Sequence, residues 1–160
     1  MSSTISPPLA VVVDANVVVS ALIGGRARLV FASPLGPSCI AASAVADEVL
    51  SHLPGIAERR GLDPTLVTAA LAVIPIEWHP ATSYDHRRAD AERLIADRDP
   101  DDWPTVALAL TAHLPIWSQD KDFSITGIQI HTTGELLDQS APGTETSNSG
   151  AWPHAPERRS

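Results

Sequence analysis

A single cysteine, Cys39, leaves this chain without an internal disulfide or a multi-cysteine zinc site, and that points to a reducing compartment. Long apolar runs are missing as well. No stretch approaches the roughly 20 apolar residues of a membrane-spanning helix, so no membrane association is expected. The opening MSSTISPPLA has no basic stretch leading into an apolar one, which argues against a secretory signal or transit peptide and for the cytoplasm. Basic residues are scarce, 11 against 19 acidic, and the net charge of -8 argues against broad electrostatic adhesion to nucleic acid or anionic lipid. The six histidines are scattered, with no pair at the helical spacing of a metal site. Ser20 and Ser118 lack a G-x-S-x-G context, which sets a serine hydrolase aside. GGRAR, from Gly24 to Arg28, lacks the lysine and following Ser or Thr of a phosphate-binding P-loop and reads as a hinge between helices.

A hydrophobic content of 44% in 160 residues is enough to bury a core in one domain. LAVVV, ending at Val13, is an unbroken, mostly β-branched run of the kind buried on both faces of a parallel sheet. A short apolar helix is predicted over 15–23, a second over 26–32, and a short strand over 38–42. Ser43 stands where it can cap the next helix, whose Val45, Val49 and Leu53 form one apolar stripe. Asp63 and Pro64 open a further helix as cap and first residue. A strand over 73–78, a polar helix over 82–96, an apolar helix after Asp102, a strand in PIWS, a strand over 128–131 and a final turn or two over 133–138 complete the pattern. Residues 139–160 are rich in Ser, Gly, Pro and Thr without periodicity and read as a disordered tail to a domain over 1–138. Strands alternating with helices predict a three-layer α/β/α sandwich around a short, Rossmann-like parallel sheet.

In such sheets ligands bind beyond the carboxyl ends of the strands. Asp14 directly follows LAVVV, and Asp120 follows PIWS by two residues, so the fold delivers both acids to one edge. DRDPDDWP carries Asp99, Asp101 and Asp102 just ahead of a helix, and Glu48 rides the helix after the second strand. Each acid has an ordinary explanation, as a helix cap or a solvated side chain. Their coincidence is what needs a reason. Four carboxylates brought together raise one another's pKa unless a cation sits among them, and oxygen ligands suit Mg²⁺ or Mn²⁺ over zinc. Such ions support in-line phosphodiester displacement.

Taken in order, VVVDANVVVSAL, SAVADEVL, DPDDWPTVALAL and PIWSQDKDF resemble the four-acid signature of PIN-domain nucleases, the fold of VapC-type toxins, over about residues 9–138. The resemblance implies a PIN-like sandwich in which Asp14, Glu48, Asp102 and Asp120 are the catalytic, metal-holding acids. Asn16 and Ser118 then orient the carboxylates or a metal-bound water. Asp99 and Asp101 stand beside Asp102 as alternatives for the third position, and Asp122 beside Asp120 for the fourth. The implied activity is Mg²⁺- or Mn²⁺-dependent cleavage of RNA by the toxin of a type II toxin–antitoxin pair, with a small antitoxin protein and a second copy of the chain as partners. Arg26, Arg28 and Lys121 lie in segments near that site and are candidates to meet RNA phosphates. The two short apolar helices over 17–23 and 29–32 are expected to leave a patch for a partner.

Two other readings belong to different classes. Receiver modules also gather acids and Mg²⁺ at the carboxyl ends of a parallel sheet, but they carry an acidic pair before the phosphoacceptor and a lysine on a late strand, whereas Lys121 sits between two acids. An inactive PIN-fold binding protein is the third, disfavoured by the presence of all four acids.

Overall fold

The computed structural model describes residues 8–120 and 127–140. Five strands form one parallel sheet: β1 (Ala10–Val13), β2 (Ser38–Ala42), β3 (Glu77–His79), β4 (Ile116–Trp117) and β5 (Ile130–His131), in the order β3-β2-β1-β4-β5. Val11, Val12 and Val13 are fully buried, as β-branched residues covered on both faces should be. Between β1 and β2 run α1 (Ala15–Leu22) and α2 (Ala27–Ala32), and between β2 and β3 run α3 (Ser43–Arg59) and α4 (Pro64–Val73). The return from β3 to β4 carries α5 (Arg88–Leu94) and α6 (Trp103–Ala112), and α7 (Thr133–Ser140) follows β5. Helix α6 packs on β1, β2 and β4 and against α5, while α1 packs on α2 and α3, α3 on α4, and α7 on α2. The expected parallel α/β architecture is therefore what the chain adopts.

The strand order places the site. β2 and β3 extend to one side of β1 and β4 and β5 to the other, so the winding reverses between β1 and β4. A crevice opens at the carboxyl ends of the strands at such a reversal. Receiver modules have the order 2-1-3-4-5, which is not the order here, and the receiver reading is thereby excluded.

Local chemistry explains most boundaries. Gly24, at φ +91, ends α1 in a conformation that costs glycine little. The stripe of α3 is buried as predicted at Val45, Val49 and Leu53 and continues to Ala57, carrying the helix through Pro54. Asp63 caps α4 by accepting from the Thr65 N–H at 2.9 Å, with Pro64 in the first turn.

Three boundaries differ from expectation. Ser43 does not cap α3. It is the first helical residue, and Ala42 precedes it without a side-chain cap. The third strand is Glu77–His79, not 73–78, because the helix-forming run LVTAALAV carries α4 to Val73 before Pro75 breaks it. The polar helix over 82–96 is split into two 3-10 turns and the short α5. Its break is at Tyr84 (φ -129), 1% exposed and packed at a tilt against Trp103 with ring centroids 5.8 Å apart. Burying that ring outweighs continuing an exposed helix. At the far end, α7 runs to Ser140, which is buried, two residues past the expected end of the domain at 138. Residues 141–160, the rest of that tail, lie outside the described residues.

Candidate active site at the sheet reversal

Asp14 is the residue after β1 and is 6% exposed. Its N–H donates to the Trp117 carbonyl at 3.1 Å, extending the β1–β4 pairing by one bond. One carboxylate oxygen, Oδ1, accepts from the Ala15 N–H at 2.8 Å and caps α1. The other, Oδ2, accepts from the Ser118 hydroxyl at 2.9 Å. A carboxylate offers about four lone-pair sites, so capping and the Ser118 bond leave acceptor capacity for a further ligand. Burial pushes the Asp14 carboxyl upward, the bonds from Ser118 and Ala15 oppose this, and the charge of Asp120 adds to the rise.

Ser118 is fully buried and works in both directions. While its hydroxyl donates to Asp14, its oxygen accepts from the Asp120 N–H at 3.0 Å. One side chain thus ties the end of β1 to the loop after β4, across 104 residues of sequence. The half-buried Asp120 also lies 3.8 Å from the Arg98 guanidinium, an ion pair whose arginine is largely buried. Arg98 was not among the residues expected from the sequence. The available signal was a lone base inside the acidic run ADRDPDD.

Asp102 occupies the N-cap position of α6, yet its backbone is αR and its side chain makes no capping bond. The ordinary explanation for an acid at that place is therefore unfilled. Its carboxyl is pushed up to about 7, first by burial and then by the charges of Asp14, Asp99, Glu48 and Asp120. Asp99, by contrast, is exposed and caps the turn before α6 by accepting from the Asp101 N–H at 3.0 Å. Glu48 reaches the same crevice from α3. It lines a hollow of about 260 Å³ with Asn16 and His52, and its carboxyl is raised by burial and by Asp14, partly offset by His52, with Asp99 and Asp101 adding to the rise. Asp47 points about 100° away around the helix. Asn16 is exposed in the first turn of α1. Asp122 and Lys121 lie outside the described residues.

Asp14, Glu48, Asp102 and Asp120 thus come from four separate segments to one crevice, close enough that Asp102 feels the other three. Among the described residues no three Asp, Glu, His or Cys side chains stand close enough to surround one ion. That spacing is compatible with a hard cation, since Mg²⁺ keeps several waters and takes one or two carboxylates directly. The donor set is all oxygen, and its mutual repulsion is what a divalent cation relieves.

Of the bases singled out in the sequence, Arg28 donates to the Gly24 carbonyl at 3.3 Å and borders an apolar groove of about 300 Å³ formed with Leu22, Phe31, Val73 and Ile74. Arg26 is exposed ahead of α2. Two polar residues that the sequence did not single out, Arg60 and Gln119, border another hollow beside Asn16. Nothing in their local sequence marks them, because they meet only through the fold.

A family model described as PIN domain matches residues 12–140. Among solved structures, the chain is similar to the crystal structure of VapBC2 from Rickettsia felis bound to a DNA fragment from their promoter. The identity is 12% and the TM-score 0.51, over 77% of this chain and 98% of that one, a likeness of fold. No curated protein matches. With the family match spanning every acid-bearing segment from β1 to α7, the chain belongs to the PIN domain family.

Proposed function

We propose that this chain is a Mg²⁺- or Mn²⁺-dependent endoribonuclease acting in the cytoplasm, and the toxin of a type II toxin–antitoxin pair. The observation that supports the reading is that Asp14, Glu48, Asp102 and Asp120 gather near the sheet reversal, where Asp102 feels the charges of the other three. PIN domains are a nuclease family, divalent-metal dependent in general. In this reading one or two of the four acids hold the metal directly and the others act through its bound waters. A divalent cation bound there supplies Lewis-acid stabilisation of phosphoryl oxygens and lowers the pKa of a water.

The chain's own residues set the geometry. The Ser118 and Ala15 bonds fix both oxygens of Asp14, Ser118 positions Asp120 through its N–H, and Arg98 restrains the Asp120 carboxylate. Asn16, exposed in the first turn of α1, orients the carboxylates or a metal-bound water in this reading. Asp99, already engaged as a cap, has a supporting electrostatic role. Asp122 shares that role by its sequence position.

A small antitoxin protein fits the same reading. The apolar groove of Leu22, Phe31, Val73 and Ile74 takes Leu22 and Phe31 from the two short apolar helices, and the structural neighbour is a VapBC2 complex. A homodimer belongs to the same proposal. Among the described residues no helix is long and apolar enough to cross a membrane.

Incubating the purified chain with single-stranded RNA tests the activity. Cleavage with Mg²⁺ or Mn²⁺, abolished by EDTA, is the expected outcome. Binding of RNA without cleavage under any metal supports the inactive binding protein instead. Co-purification with the product of an adjoining small reading frame tests the antitoxin, and light scattering tests the dimer.

A further inference from the structure

Beside the acids lies a hollow of about 360 Å³ bordered by Asn16, Ser20, Gly24, Arg60 and Gln119. Its volume is at the lower end of the ~300–1,000 Å³ of small-ligand pockets, the scale of one nucleotide and too small for a folded strand. It adjoins the site, because Asn16 and Val19 border both this hollow and the one lined by Glu48. Gln119 also lies between Ser118, which donates to Asp14, and Asp120.

The lining is chemically specific. Gln119 Nε2 donates to the Ser20 hydroxyl oxygen at a long 3.4 Å, so the Gln119 carbonyl, its second N–H and the Ser20 O–H remain for a ligand. Ser20 is held in place by its neighbour across the turn. The Gly25 N–H donates to the Ser20 carbonyl at 2.7 Å, and a Cβ on Gly25 would lie 2.8 Å from that carbonyl oxygen. Gly24 faces open space, which lets a ligand approach its backbone. Arg60, just after α3, is exposed, and among the described residues it enters no ion pair. In a protein of net charge -8, with four acids next door, it is the one cation among the described residues that borders this hollow.

We infer that this hollow seats one nucleotide of the RNA next to the cleaved bond, with its phosphate on Arg60 and a polar edge of its base or ribose on Gln119 and Ser20. This inference rests on the nuclease reading and makes Arg60 a binding residue and Gln119 a specificity-determining one. A guanidinium gives a phosphate bidentate, charge-assisted bonds, and a side-chain amide pairs with the donor and acceptor edge of a base.

Cleavage of a mixed-sequence, end-labelled RNA provides the test, with fragments mapped and KM separated from kcat. Arg60→Ala should raise KM about tenfold, the worth of one charge-assisted bond, with kcat within about threefold. Its logarithmic salt dependence should fall by about 0.7, as for one lost phosphate contact on a single strand. Gln119→Ala should redistribute the cut positions, and Arg59→Ala, on a residue that does not border the hollow, should change neither. Arg60 and Gln119 are exposed, so thermal melts should match wild type. Wild-type cleavage with unchanged KM, salt dependence and cut positions in both variants overturns this inference alone. If wild type cleaves no RNA with either metal, the nuclease reading falls and this inference falls with it.

Discussion

Replacing Asp102 by asparagine keeps the size of the side chain and removes one charge from the centre of the acidic group. In the metal-free protein the Asp102 carboxyl stands at about 7, against an ordinary value of 3.8, so the folded state holds a proton that the unfolded chain releases near pH 4. Where the folded state binds more protons than the unfolded one, stability falls as pH rises. The loss for wild type therefore spreads from about pH 4 to about pH 7 and is complete above it. Taken at face value the difference corresponds to ~4 kcal/mol. Asp102 is only half-buried, however, and solvent screening brings a realistic figure to ~1–2 kcal/mol. Asp102→Asn removes this penalty, so in EDTA at about pH 8 it should melt higher than wild type by roughly 2–8 °C for a domain of this size. At about pH 4 the two proteins should melt within a degree or two of each other. With Mg²⁺ the order should narrow or reverse, because wild type gains stability from a ligand that binds only its folded state. The assay is a set of thermal melts across that pH range, with EDTA and with Mg²⁺. Equal melting of the two proteins at all pH values in EDTA, or a variant less stable at the alkaline end, would refute the electrostatic reasoning.

Ser118→Ala removes the bond to Asp14 and the acceptor for the Asp120 N–H, and should cost ~1–3 kcal/mol in urea unfolding together with about tenfold in cleavage rate as Asp14 loses its orientation. His113 ends α6 with a left-handed φ of 54, a conformation that costs a non-glycine residue ~1 kcal/mol. His113→Gly should therefore raise stability by roughly 0.5–1 kcal/mol in the same unfolding assay and leave cleavage unchanged, since the acids lie at the opposite end of α6. Deleting residues 141–160 should leave melting temperature and cleavage as in the full chain, given a composition poor in groups that build a core. A cut before Ser140 should not be neutral, because Leu136 and Ser140 of α7 are buried.

The parallel α/β fold could be read from the sequence because its signals are local: a β-branched run ending at Val13, a stripe of Val45, Val49 and Leu53 at spacings of four, and the Asp63–Pro64 start. The misplaced boundaries share a cause, which is burial decided elsewhere in the chain. The segment over 82–96 had helical composition, but the burial of Tyr84 beside Trp103 broke it. The extent of α4 depended on where helix propensity stopped, and Pro75 marked that better than the apolar pattern did. At the site, the acids next to strand ends were visible because a strand end fixes its position on the sheet. Which of Asp99, Asp101 and Asp102 faces the crevice was not visible, since all three belong to one short turn. The fold gives them different roles, with Asp99 capping the turn and Asp102 leaving its own cap unmade. Ser118 was expected as a small polar residue near the acids, but its two hydrogen bonds, to Asp14 and from the Asp120 N–H, needed the β1–β4 pairing. Arg98, Arg60 and Gln119 acquire neighbours only through contacts distant in sequence.

Asp14→Asn offers the most direct test of the metal-dependent nuclease. Asparagine caps a helix about as well as aspartate and can still accept from Ser118 and the Ala15 N–H, so folding of the metal-free protein should be preserved, with less repulsion toward Asp120. The measurement is cleavage of end-labelled RNA in Mg²⁺ by wild type and Asp14→Asn, alongside their melting temperatures with and without the metal. The account predicts that the variant is folded, loses cleavage by at least ~10²-fold, and shows a smaller Mg²⁺-dependent rise in melting temperature than wild type. An Asp14→Asn protein that cleaves RNA at the wild-type rate and keeps the full Mg²⁺-dependent rise would contradict it.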